Sequence, residues 1–192
     1  MCLTKCIAIF MELFLNSLFA RKTSEGFTLI ELLVVIGILG ILAASLVAAI
    51  NPFEQLKKAN DANVKNTLVE YIDANIRYYT THNAMPWNDT AAASACNGGS
   101  IPTSQVLGAT NMSGCLYDLV NDGEIQTGFT TVTNILGSIY VNGGSNSLTA
   151  CFQPSSSAEL HDPQTKYNAN GTPATGCSSQ TSSGSSCYWC SQ

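Results

Sequence analysis

Apolar and polar positions change their pattern several times along the chain. From Phe27 to Ile50 (FTLIELLVVIGILGILAASLVAAI) the residues are apolar almost without interruption, and Glu31 is the one ionisable side chain among them. A helix of that length spans about 36 Å, enough to cross a bilayer. After Pro52 the pattern turns amphipathic. Leu56, Val64, Leu68, Ile72, Ile76 and Tyr79 fall at three- and four-residue steps or their multiple, which puts them on one helical face. Lys57, Asp61, Lys65, Glu70, Asp73 and Arg77 fill the other faces. Pro52 removes a backbone donor and is expected to kink or break the helix near Ala48 to Asn51. Helical signals stop at Thr81 to Asn83, because Pro86 disfavours helix at Met85. Unbroken, the two stretches would make one helix of roughly 55 residues, about 80 Å long.

Further on the apolar runs are short. Cys115 to Val120 reads as a brief helix ended by Asn121-Asp122-Gly123. Thr130 to Ile135 and Ser138 to Val141 carry β-branched and aromatic residues, Asn142 to Asn146 reads as a turn, and Leu148 to Phe152 as the returning strand. One face of such a small antiparallel sheet would cover the apolar stripe of the long helix. The predicted fold class is therefore α+β: a long N-terminal helix, membrane-spanning in its first half and amphipathic in its second, packed on a small antiparallel sheet with a disulfide-linked C-terminal loop region. From Gln153 onward the chain is rich in Ser, Thr, Gly, Asn and Pro, a composition that buries little.

Glu31 needs a reason to be where it is. A carboxylate within a membrane span costs about 2.5 to 3.5 kcal/mol on insertion scales. Just before the apolar run stands a hydrophilic collar, Arg21-Lys22-Thr23-Ser24-Glu25-Gly26, ending in a small residue. Cleavage between Gly26 and Phe27 would create an α-ammonium group four residues before Glu31, a cation for the buried anion to pair with in the same chain or a neighbour.

Gly26-Phe27-Thr28-Leu29-Ile30-Glu31-Leu32-Leu33 resembles, position by position, the type III signal of the type IV prepilin and pseudopilin family. Close resemblance covers roughly residues 21 to 60. It implies cleavage after Gly26 by a prepilin peptidase, N-methylation of the new first residue Phe27, and a role for Glu31 in aligning an incoming subunit during filament assembly. It also implies a single-pass protein of the cytoplasmic (inner) membrane with its C-terminal head outside, handed by inner-membrane assembly machinery into an extracellular helical homo-oligomer. In many relatives the helix-breaking proline falls about one turn earlier than Pro52. The implied organisation is a leader at 1–26, a transmembrane and assembly helix at 27–50, an amphipathic helix at 51–83 and a disulfide-rich pilin-like head at 84–192.

The leader departs from the short, basic form common in that family. Residues 7–20 (IAIFMELFLNSLFA) are apolar apart from Glu12 and Asn16 and look like the h-region of a secretory signal. Two readings stand open: a long leader, or translation starting at Met11 with a 16-residue leader. In both, Cys2 and Cys6 lie outside the mature protein. Arg21 and Lys22 flank the near end of the span, against Lys57 and Lys58 beyond its far end, a modest asymmetry for orientation. Gly37 and Gly40 offer small surfaces for close helix approach but weaken the helix.

Of the 192 residues only 11% are charged and the net charge is −5. Past residue 90, Lys166 is the only Lys or Arg, so no clustered positive surface exists to neutralise phosphates and direct nucleic-acid binding is not expected. Cys96, Cys115, Cys151, Cys177, Cys187 and Cys190 are an even set in a polar region, which reads as a disulfide framework with fifteen possible pairings. Cys187-Tyr188-Trp189-Cys190 has thioredoxin-like spacing but no βαβ context, so a structural clip is expected rather than a redox pair. His82 and His161 show no metal-ligand spacing. Phosphate loops, nucleophile elbows and His-Glu metal motifs are absent, so no enzyme, metal or cofactor is expected. Asp118, Asp122 and Glu124 are a weak calcium candidate, without EF-hand spacing. Asn88, Asn111 and Asn170 each begin an Asn-x-Ser/Thr sequon.

The function these expectations converge on is a structural pilin subunit of a type IV pilus-like filament. Alternatives are a pseudopilin of a type II-like secretion system, to which Met85-Pro86-Trp87 offers a loose likeness, and a membrane-anchored adhesin that never polymerises.

Overall fold

The computed structural model describes residues 27–49, 51–92, 96–175, 177 and 187–192. It divides between residues 50 and 51 into two compact units. The described part of the first holds helix α1, Leu29–Ala49. Its residues Leu29–Val47, with mean hydropathy 2.7, form the one helix among the described residues that is long and apolar enough to cross a membrane. Nearly all of its large side chains are exposed, including Leu29, Ile36, Leu39 and Ile41.

The second unit begins with α2, Pro52–His82. Pro52 takes a first-turn position, where its missing N–H costs nothing, and Asn51 caps the helix by accepting from Glu54 N. At the far end Asn83 turns into the left-handed region at φ 53° and returns its N–H to Tyr79. The buried line of α2 runs through Asp61, Val64, Leu68, Tyr71, Asn75 and Tyr78, with Ile72 and Ala74 beside it. This differs from the stripe expected from apolar spacing: Leu56 is 67% and Ile76 is 49% exposed. The interior face includes two polar residues; Asp61 is fully engaged, whereas Asn75 bonds through its Nδ2 and its buried Oδ1 has no hydrogen-bond partner among the described residues. Asn75 Nδ2 donates to Tyr71 O at 2.8 Å, and the Asp61 carboxylate is held by the Ser155–Ser156 backbone.

Against that face packs a five-stranded antiparallel sheet: β1 Gln105–Val106, β2 Ile139–Gly143, β3 Leu148–Phe152, β4 Thr165–Tyr167 and β5 Tyr188–Ser191, in the order β1-β2-β3-β5-β4. Ile139, Val141, Leu148, Ala150 and Phe152 join the helix core, and Trp189 lies beside Phe152. The fold is the expected α+β. The β2–β3 hairpin is present, but Asn142 and Gly143, expected in the turn, continue β2 opposite Thr149 and Leu148; the reversal is closed by Gly144 N to Ser147 O.

Helix α3, Ser113–Asn121, ends as the Asn-Asp-Gly signal implies. Gly123 has φ 74°, its N–H returns to Val120 O and that of Glu124 to Leu119 O, the paired bonds of a Schellman ending. Thr130 to Ile135, read as strand-like, is instead a 3-10 turn, Thr127–Thr131, followed by the one-turn helix α4, Thr133–Leu136. Here Thr130 and Thr131 hydroxyls bond back to the carbonyls of Thr127 and Gly128, so local hydroxyl bonding overrides β-branched propensity. A last short helix, α5, spans Ser157–Leu160.

Candidate functional site

The start of α1 is built by Thr28 and Glu31. Glu31 N donates to Thr28 Oγ1 at 3.3 Å, while Thr28 N and Oγ1 donate to Glu31 Oε2 at 3.1 and 2.9 Å. This is a capping box, in which the cap residue and the acid three positions on satisfy each other's backbone donors. The carboxylate also lies at the positive end of the helix dipole. Thr28 was not singled out from the sequence, although Thr-x-x-Glu before an apolar run is the signature that could have found it. Phe27 precedes the box and is exposed. Gly26, the leader and the alternative start at Met11 lie outside the described residues. Gly37 and Gly40 have open space where a Cβ would stand.

Two cations on the polar side of α2 pair with other elements. Lys65 Nζ meets Glu159 Oε2 of α5 at 2.9 Å and lies 4.4 Å from the centre of the Trp189 ring on β5. Arg77 Nε meets Glu124 Oε2 at 2.7 Å. A partly buried pair tied to the fold in this way is better ordered than an exposed pair within one helix.

All six cysteines of the head are bridged: Cys96–Cys115, Cys151–Cys190 and Cys177–Cys187. The first ties the turn Cys96–Gly99 to α3, and the second joins residues directly opposite on β3 and β5. With sequence separations of 19, 39 and 10, loop closure gives the three bridges about 3 to 4 kcal/mol each. Cys187 and Cys190, despite their spacing, take different partners and do not form a dithiol pair.

The three acids weighed for calcium diverge. Glu124 is taken by Arg77, Asp122 faces His82 Nε2 at 3.3 Å, and Asp118 is buried on α3. Among the described residues no group of three or more His, Cys, Asp or Glu side chains is placed to hold a metal ion. Near them Tyr78 stacks on His82 with 4.0 Å between ring centres and donates to Asp89 Oδ2 at 2.8 Å. Burial pushes the Tyr78 phenol well above its ordinary value, helped by that hydrogen bond and by the charges of Asp89, Asp118 and Asp122. Asp89 is held below the usual carboxylate range, chiefly by the N–H of Ala91.

Residues 21–47 match the prokaryotic N-terminal methylation motif, which is the type IV prepilin-type signature. No curated protein and no solved structure matches the chain. The matched segment contains the capping box and most of α1, so the signature and the exposed apolar helix coincide. It is the N-terminal signature of pilin- and pseudopilin-like proteins.

Proposed function

We propose that this protein is a structural subunit of a type IV pilus-like filament. On this reading a prepilin peptidase cuts after Gly26 and methylates Phe27, residues 27–50 hold the subunit in the cytoplasmic membrane with the head outside, and the same helix then packs in the fibre. The observation that carries the reading is that coincidence: the methylation motif lies on a helix whose apolar surface is exposed along its length. An unpartnered apolar helix of this kind needs either lipid or copies of itself around it.

The head supports a structural role. Its side chains are spent on cross-links and inter-element pairs, with three disulfides over a polar C-terminal region. A pseudopilin shares all of these features, and in its favour Met85 and Trp87, the step after α2, are buried in the core rather than looped out. Both readings require processing. Mass analysis of the N-terminal peptide from membrane and surface fractions should find a chain beginning at N-methyl-Phe27. Residues 21–26 still attached in surface material would overturn both. Sheared fibres containing the protein separate a pilus subunit from a pseudopilin, and an adhesin that never polymerises would give processed membrane protein with no fibre under any expression level.

A further inference from the structure

The three sequons are equivalent in sequence and unequal in the fold. Asn88 Nδ2 donates to Ser145 O at 3.0 Å, and its neighbour Asp89 is held by Tyr78 and Ala91. Asn111 Nδ2 donates to Asn97 Oδ1 at 2.8 Å and Gln105 Oε1 at 2.6 Å; its middle residue Met112 is fully buried, and Ser113 Oγ donates to Thr110 O. Both asparagines are exposed, but entering another protein's groove would cost the first sequon its bonds to Ser145 and Tyr78 and would pull the buried Met112 of the second from the core.

Asn170-Gly171-Thr172 is arranged differently. Asn170 and Thr172 are exposed, at a turn between β4 and the Tyr167–Pro173 bridge. Asn170 Oδ1 accepts from Thr172 N at 3.1 Å and from Thr172 Oγ1 at 2.6 Å. Its Nδ2 makes no hydrogen bond among the described residues. Gly171, at φ 76°, gives its N–H to Asn168 O, and a Cβ there would stand 2.9 Å from Thr149 Cγ2, so the turn is braced on β3 and points Asn170 outward.

We propose that Asn170 is an N-glycan acceptor, the one sequon of this chain whose geometry presents the amide for modification. An amide nitrogen is a weak nucleophile. Two hydrogen bonds donated to its Oδ1 draw electron density from the amide and make the Nδ2 proton easier to remove. The co-reactant is a lipid pyrophosphate-linked oligosaccharide, presented by a membrane-bound transferase. A bond forms between Nδ2 and the anomeric carbon, the bond from that carbon to the pyrophosphate oxygen breaks, the lipid pyrophosphate leaves with the electron pair, and the Nδ2 proton passes to a base of the transferase. No redox change is involved. The inference rests on the proposed export of the head, because donor and acceptor must share one side of the membrane. A glycan here would coat β4 and the neighbouring edge of the sheet with bulky polar surface.

The test is glycopeptide mass spectrometry on the full protein purified from its own cells, with thiol alkylation before reduction in the same digest. The expected result is an oligosaccharide mass on the Asn170 peptide, none on those of Asn88 and Asn111, complete loss with Asn170→Gln or Thr172→Ala, and retention with Thr172→Ser. A bare Asn170 with oxidised cysteines would overturn this inference alone. A bare Asn170 with free thiols would overturn it together with export of the head. A mass that survives Asn170→Gln, or that sits on Asn88 or Asn111 instead, would also overturn it.

Discussion

The carboxylate of Asp61, on the long helix, and the backbone N–H of Ser156, 95 positions later, meet at 2.7 Å. Ser155 N and Ser155 Oγ donate to the same carboxylate, at 3.0 and 2.8 Å. Glu54 accepts from Ser157 N one step further along, and Ser156 Oγ caps α5 by accepting from Glu159 N. The acids of α2 thus fill the ring of N–H groups at the start of α5, and Lys65 holds Glu159 from the same helix. A helix start that lacks enough side chains of its own is satisfied by another element.

Asp61→Ala should therefore destabilise the head by roughly 2 to 4 kcal/mol, since it strands buried N–H donors rather than merely deleting a contact. Asp61→Asn should cost nearly as much, because its amide group sets donors against donors. Urea denaturation in detergent should show lower midpoints at unchanged slope. Midpoints equal to wild type would mean the N–H groups are satisfied without Asp61.

That contact also shows where sequence reading stops. The apolar span, the end of α3 at Gly123 and the β2–β3 hairpin were legible because each depends on neighbours in sequence. Asp61 looked like a surface residue, since its partners Ser155 and Ser156 are met only by folding, and the expected stripe left it out and took in the exposed Leu56 and Ile76 instead. Strands β1, β4 and β5 are two to four residues long and carry little local pattern. β5 lies between β3 and β4, an arrangement set by contacts distant in sequence. At the N-terminus the opposite held: the signature, Glu31 and the helix are contiguous, and only the contribution of Thr28 was missed.

Alkaline pH should unfold the head earlier than its net charge alone would suggest. Tyr71 and Tyr78 are buried, and burial raises both phenols well above their ordinary 10.0, with Asn75 pulling weakly the other way on Tyr71. A folded-state pKa above the unfolded one means the contribution is fully present below about pH 10 and is lost as pH climbs past it, at up to about 1.4 kcal/mol per pH unit for each group. Denaturant midpoints measured from about pH 8 to pH 11 should fall steeply above pH 10. Tyr71→Phe should flatten that fall, and an unchanged alkaline slope in this variant would refute the assignment.

Gly143 is required by its neighbours rather than by its backbone angles. A Cβ there would lie 2.8 Å from Pro102 Cδ and 2.9 Å from two ring carbons of Trp87, whose Nε1 donates to Gly144 O at 3.0 Å. Gly143→Ala should cost roughly 1 to 3 kcal/mol by overpacking and should shift the fluorescence of buried Trp87. Pairing it with Trp87→Phe should recover part of the loss, because the smaller ring vacates the contact. Strictly additive effects would show that the two residues do not compete for the same space.

Glu31 has two separable properties, its cap and its charge. Glu31→Gln keeps an acceptor that can serve the capping box with Thr28 and removes the charge; Thr28→Val removes the hydroxyl and keeps the charge; Glu31→Leu removes both. Losing the charge should ease membrane insertion by about 2.5 to 3.5 kcal/mol. If the carboxylate pairs with the Phe27 amine of a neighbouring subunit during assembly, Glu31→Gln and Glu31→Leu should both be cleaved and fill the membrane, yet yield few fibres. Thr28→Val should then assemble, with a start to α1 weakened by about 1 kcal/mol. If the cap is what matters, Glu31→Gln should assemble normally and Thr28→Val should fail beside Glu31→Leu. The measurement is sheared-fibre yield against the membrane pool of processed subunit, with each variant as the only copy in the cell. Normal fibre yield from Glu31→Leu would remove Glu31 from assembly altogether, because neither its cap nor its charge would then be needed.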